Sequence, residues 1–389
     1  MKNKNIFLLC IVNFTSNIGN AIYLLTLPWI VLELTNSKVS TAIVATSIYV
    51  PTLIFGFFSG IIIDRFSGKR IIMATELLKG VLISIIPLIM FSSQSIILVY
   101  LLSFLVSTFG IFLTPTRDSM IPKLINKNQL VNVNSIISIS GQLSFLVGPI
   151  FAIVFVENIN QIYLLYVSAI LFLLSSIFSS FIKLKNKFIS SNKHSYFDDL
   201  IFGFLFFKKN KKLTNIICMT SLNNFFIMGP AIIGIPVFVK EVFKAEFNTL
   251  AIFESAMTIG MLFGSFLILT FFKKINLIYL LLFGIFLDGI TYSLLFFSDM
   301  KSTMLSILFI HGIAIPFIVV SRTNLVQKLV PSLYRGRIFS IVNLSVVGTT
   351  AISSIFTGLV LEYISVKVLF LFIGFFASST VIIGFNLKK

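Results

Sequence analysis

Apolar residues in this chain come in runs too long to serve as the core of a soluble domain. A helix needs about 20 consecutive, mostly apolar residues to cross the hydrocarbon core of a bilayer. Runs of that length cover roughly 6–32, 39–63, 71–92, 95–115, 131–156, 162–183, 213–239, 249–272, 275–298, 302–325, 336–361 and 366–386. Backbone N–H and C=O groups find no water in lipid, so such runs must close their hydrogen bonds internally, as helices. The expected fold class is therefore an all-α membrane protein with twelve transmembrane helices. Composition agrees, since 57% of the 389 residues are hydrophobic and only 11% are charged, too few to cover a soluble surface.

The chain has a formal net charge of +17. In a soluble protein that excess would suggest nucleic acid, but here the position of the charges decides. Of the 30 Lys and Arg, 24 fall at the termini and in the even-numbered connections, and Lys79 lies inside a run. The opposite side has five: Lys38, Lys240, Lys244, Lys301 and Lys367. The positive-inside rule then predicts both termini in the cytoplasm, with the basic residues near anionic lipid and no role for nucleic acid. The N-terminal "MKNKNIFLLCIVNF" begins like a signal peptide, but its apolar run is too long for one and no small-x-small cleavage site follows. It is expected to remain as the first span. Cys10 and Cys218 lie within apolar runs and read as packing residues rather than disulfide or zinc partners.

The one long polar connection is "KLKNKFISSNKHSYFDDLIFGFLFFKKNKK" at 183–212, whose aromatic middle is suited to a membrane surface. It separates a six-helix half at 1–185 from another at 213–389, with 186–212 as a cytoplasmic linker. Internal repetition supports the division. "TRDSMIPKLINKNQLVNVNSI" from 116 aligns on "SRTNLVQKLVPSLYRGRIFSI" from 321 at an offset of 205, so that Arg117 meets Arg322 and Lys123 meets Lys328. Lys69–Arg70 fall on Lys273–Lys274 at an offset of 204, and Asn13 and Gly19 fall on Asn223 and Gly229 at 210. Three blocks in order at nearly constant offset indicate two duplicated halves, a layout used by transporters.

These residues also carry a family resemblance. "GIIIDRFSGKR" (60–70) resembles the loop between the second and third spans of the major facilitator superfamily, Gly-x-x-x-Asp-Arg followed by a basic pair. "NIGNAIYLLTLPWIVLELTNS" (17–37), "LTPTRDSMIPKLINKNQLVNVNS" (113–135) and "VPSLYRGRIFS" (330–340) resemble the branch of enterobactin exporters and macrolide efflux proteins. Nearly the whole chain is covered. The resemblance implies the major facilitator fold, a bacterial-type plasma membrane location and export of small molecules. Two features depart from proton-coupled drug antiporters. "LLSFLVSTFGIF" (101–112) lacks an arginine in the fourth span, and Ala152–Ile153 follow Gly148–Pro149 where a glycine pair is usual.

The resemblance also implies a cytoplasmic gate, for which the candidates are Asp64, Arg65, Lys69, Arg70, Arg117, Asp118, Arg335 and Arg337. Asp118 is expected to face Lys69–Arg70. Topogenic charge alone would explain the cations but not Asp64, because carboxylates contribute little to orientation. Asp64 also has no counterpart in the second half, where the aligned residue is Ile268.

Inside the spans, ionisable residues are functional candidates by default. Asp288 and His311, in the ninth and tenth spans, are candidates for proton coupling, or else for interhelical hydrogen bonds. Glu76 is a third coupling candidate, but Lys79 lies one turn on, at the spacing of a structural ion pair. Asn13, Asn17 and Asn20 share a face of the first span, and Asn223 and Asn224 sit similarly in the seventh. They are candidates to line a substrate cavity, or else to join helices.

Enzyme signals are lacking: Gly68–Lys69 has no upstream glycine of a nucleotide loop, and no cluster has metal-ligand spacing. The chain thus reads as a monomeric secondary transporter without a cofactor, exporting amphipathic small molecules in exchange for protons. Siderophore or lysolipid movement is the alternative within transport, and a non-transporting membrane sensor or assembly factor the alternative outside it.

Overall fold

A computed structural model describes residues 4–92, 95–125, 130–156, 160–183, 210–272, 275–330 and 335–384. Its elements are helices, with no strand among the described residues: α1 (Lys4–Thr35), α2 (Lys38–Arg65), α3 (Gly68–Ser92), α4 (Ile96–Gly110), α5 (Leu113–Leu124), α6 (Leu130–Val156), α7 (Tyr163–Ser180), α8 (Lys211–Gly229), α9 (Ile235–Glu241), α10 (Phe247–Thr270), α11 (Leu277–Leu294), α12 (Lys301–Leu329), α13 (Arg335–Val360), α14 (Val366–Ser379) and α15 (Val381–Gly384). Eleven stretches among the described residues are long and apolar enough to span a membrane, and the shorter apolar stretch Leu344–Val360 lies in α13. Together they follow the twelve runs of the sequence, so the chain is a multi-pass helical membrane protein.

Several runs hold breaks that hydropathy does not register, among them the twelfth, divided at Thr380, and the fourth and seventh. The fourth is divided at Ile111–Phe112 into α4 and α5, and helical structure continues past the expected end at 115 to Leu124. Pro115 fits in the first turn of α5, where its missing N–H has no partner to lose. The seventh contains one π-helical turn, Pro230–Gly234, between α8 and α9. Pro230 cannot donate to the preceding turn, and the N–H of Ile235 reaches back five residues to the Pro230 carbonyl.

By contacts the chain forms two compact units, Met1–Asn36 with Ser47–Asn192, and Ser37–Thr46 with Lys193–Lys389. In the first, α1 packs on α6 and α7, and α3 on α4 and α7. In the second, α8 packs on α13 and α14, α11 on α12 and α14, and α10 along α12. Expressed as spans, the first lies on the fifth and sixth, and the seventh on the eleventh and twelfth. The duplication read from sequence offsets therefore recurs in how each unit is assembled internally.

Lipid is as apolar as leucine, so close packing and hydrogen bonds must hold these helices together. In the first unit, Ser168 donates to the Gly19 carbonyl (2.7 Å), Ser144 to that of Phe14 (3.1 Å) and Ser176 to that of Met73 (2.7 Å). In the second, α10 and α12 touch backbone to backbone. A Cβ on Gly260 would stand 2.1 Å from the Phe309 carbonyl oxygen, and one on Gly312 would stand 2.1 Å from that of Met257. Only glycine allows this approach, and the crossing falls one residue from His311.

Candidate functional site

Asp288, Thr291 and Tyr292 occupy positions i, i+3 and i+4 of α11 and so share one face. Against that face the α10–α12 crossing sets His311 of α12, and α8 contributes Asn223. Asp288 Oδ1 lies 3.3 Å from His311 Nδ1, with side-chain exposures of 5% and 3%. Asn223 donates its amide to Asp288 Oδ2 at 3.0 Å. Thr291 Oγ1 lies 3.2 Å from His311 Nδ1 and donates its hydrogen to the carbonyls of Leu287 (2.9 Å) and Asp288 (2.8 Å). With that hydroxyl hydrogen engaged, Nδ1 is assigned as the protonated ring nitrogen, shared between Asp288 and Thr291. The Tyr292 ring meets the imidazole edge-on, with centroids 4.8 Å apart. Three helices thus enclose a carboxylate and an imidazole in direct contact.

Glu254 of α10 and Tyr292 of α11 were not singled out from the sequence. The Glu254 carboxylate has no hydrogen bond or ion pair among the described residues; only its backbone carbonyl is engaged, by Thr258 (2.9 Å). The buried hydroxyl of Tyr292 on α11 also lacks a partner among the described residues. The signal was present in "AIFESAM" (251–257): a carboxylate inside an apolar run, the pattern that flagged Asp288.

In the first unit, Glu76 and Lys79 form a buried pair (Oε1 to Nζ, 3.0 Å), with Nζ also 3.7 Å from the centroid of the Phe172 ring on α7. Glu76 Oε2 has no hydrogen-bond partner among the described residues. Asn13 accepts from Arg117 Nη1 (2.5 Å) and donates to Ser140 Oγ (2.9 Å), joining α1, α5 and α6. Asp118 differs from expectation. Its ion pair among the described residues is with Arg117 Nε (2.9 Å) rather than with Lys69 or Arg70, because its immediate neighbour's guanidinium folds back onto it. At the duplicated position Thr323 replaces that carboxylate, and Arg322 has no ion pair among the described residues.

The five asparagines divide. Asn224 donates to the Val346 carbonyl (2.9 Å) and the hydroxyls of Thr349 and Thr350 (3.0 Å each), which ties α8 to α13. Asn13 and Asn223 are likewise engaged across helices. Asn17 and Asn20 are half-buried and make no side-chain hydrogen bond among the described residues. Lys69 is half-buried and Arg70 exposed, while the side chains of Asp64, Arg65, Arg335 and Arg337 lie outside the described residues.

Long apolar helices, two units built on the same internal plan, and ionisable side chains enclosed between spans define a polytopic helical membrane protein. The chain belongs to the Major Facilitator Superfamily, whose family model matches residues 9–347. Among characterised proteins it is similar to the multidrug efflux pump Tap of Mycobacterium bovis (strain BCG / Pasteur 1173P2), with 25% identity over 184 residues, 45% of this chain and 44% of that one. It thus spans less than half the length of that relative. It is also similar to the macrolide efflux protein A of Streptococcus pyogenes, with 23% identity over 332 residues, 84% of this chain and 82% of that one. Of solved structures, the nucleoside transporter NupG superposes with a TM-score of 0.79 at 16% identity, covering 99% of this chain and 98% of that one. At that identity the likeness shows the fold alone.

Proposed function

We propose that this protein exports amphipathic small molecules of the drug or secondary-metabolite class by alternating access, exchanging each for a proton held by Asp288 and His311. The observation that carries the reading is the Asp288–His311 contact, enclosed between α8, α11 and α12. An uncompensated charge at that depth is costly, roughly 2.5–3.5 kcal/mol on insertion scales. Binding or losing one proton therefore changes which arrangement of the surrounding helices is favoured. The efflux relatives support the direction and the cargo class. The 24-to-5 distribution of basic residues supports cytoplasmic termini in a bacterial plasma membrane.

The test is accumulation of a fluorescent efflux substrate in inside-out vesicles under an imposed pH gradient. One-for-one exchange yields up to about tenfold accumulation per pH unit, since 1.36 kcal/mol corresponds to both. Asp288→Asn is expected to abolish that accumulation while leaving downhill equilibration of the same compound. Gradient-driven accumulation by Asp288→Asn at the unsubstituted level would overturn the coupling site.

A further inference from the structure

The coupling pair leaves one membrane-embedded carboxylate unaccounted for. Glu254 lies seven residues into α10, about 10 Å along the axis from the end at Phe247. The outward stripe of α10 is Ile252, Ile259, Phe263 and Phe266, exposed by 41%, 47%, 44% and 53%. Glu254 follows Ile252 by two residues and so points to the opposite side of the helix, at about 200°. Along that side Met257, Met261 and Ser265 are also half-buried, while Leu250, Ala251, Thr258 and Gly264 beside them are buried. α10 therefore has a second partly accessible strip, separate from its outward face, with a carboxylate near one end and two methionines along it.

A carboxylate at this depth is tolerable when a protein cation pairs with it, a proton neutralises it, or a bound cation does so. No described cation pairs with Glu254. Methionine thioethers beside it are polarisable and adjust to apolar bodies of varied shape. We propose that Glu254, Met257 and Met261 form a binding site for organic cations with an apolar body, the cationic centre held by the carboxylate and the body laid along the methionines. The proposal deepens the export reading and rests on it for its physiological meaning, but the binding event does not require transport.

The experiment is equilibrium binding of radiolabelled tetraphenylphosphonium to the purified full chain in detergent, with tetraphenylborate as a probe of the same shape and opposite charge. The unsubstituted protein is expected to bind the cation saturably. Glu254→Gln should weaken that binding at least tenfold without weakening tetraphenylborate binding, and Glu254→Asp should restore it to within about threefold. A second measurement needs no substitution: carbodiimide modification of Glu254, read by mass spectrometry, should be slowed by tetraphenylphosphonium and not by tetraphenylborate. Unchanged cation binding by Glu254→Gln, no saturable binding by the unsubstituted protein, or no protection from carbodiimide would each overturn the site. Cation binding without vesicle transport would remove the export reading and leave the site standing. Gradient-driven export of neutral compounds without cation binding would do the reverse.

Discussion

Gly260→Ala adds one methyl group at the point where α10 and α12 touch. The new Cβ would lie 2.1 Å from the Phe309 carbonyl oxygen, 3.0 Å from its carbon and 3.1 Å from Gly312 Cα. All three are backbone atoms, so no side chain can turn aside to make room. Cβ contacts below 3.0 Å essentially do not occur, so α12 must withdraw by about 0.9 Å along that line. Overpacking of this kind costs about 1–3 kcal/mol. The gain of about 1 kcal/mol from replacing glycine within a helix opposes it, leaving a net loss of at most about 2 kcal/mol. The functional effect should be larger. His311 is adjacent to Gly312 and stands 3.3 Å from Asp288, so a shift of this size in α12 displaces the imidazole relative to the carboxylate by more than a hydrogen bond's tolerance in distance. Misplacements near 1 Å cost about a hundredfold where geometry controls a step, so gradient-driven uptake should fall by at least about tenfold. Thermal unfolding in detergent and vesicle uptake measure the two effects. Gly110→Ala is the control, since a Cβ there would meet nothing within 4 Å. If Gly260→Ala melts and transports like the unsubstituted protein, the reasoning that places His311 by this crossing is wrong.

The Glu76–Lys79 pair predicts an asymmetry. Glu76→Gln or Lys79→Met alone leaves one buried charge uncompensated and should destabilise by about 3–5 kcal/mol, whereas the double replacement Glu76→Leu with Lys79→Met should be near neutral. Thermal unfolding of the three variants checks this. A double variant that folds well but loses gradient-driven transport would make the pair part of coupling rather than packing. Asp64→Asn is expected to lower transport several-fold while membrane insertion, followed by immunoblotting of membrane fractions, stays unchanged; full transport would reduce the cluster around Asp64 to topogenic charge.

Much of this molecule was legible in one dimension because the bilayer imposes a length and a polarity on each span. The twelve runs, the duplicated blocks and the intramembrane Asp288 and His311 all follow from counting residues and charges. What escaped was anything set by distance between helices. Asp288 and Asn223 are separated by 65 residues, and only the packing of α8 on α11 brings them to 3.0 Å. Asn223 and Asn224 are neighbours in sequence, yet one turns to a carboxylate and the other to threonines on α13. Asp118 found its partner in the adjacent Arg117, a choice that spacing leaves open. Glu254, by contrast, is legible in one dimension as a carboxylate inside an apolar run.

The π-helical turn at Pro230–Gly234 has a consequence for how the seventh span is mapped experimentally. One surplus residue in a turn advances the angular phase of everything beyond it by about 100°. The stripe that holds Asn223 therefore does not continue onto α9 at uninterrupted 3.6-residue spacing. Cysteine substitutions probed one by one with a water-soluble thiol reagent should show two accessibility patterns, one before 230 and one after 234, out of step by a single residue. Deleting one residue within 230–234 should merge them into one continuous pattern.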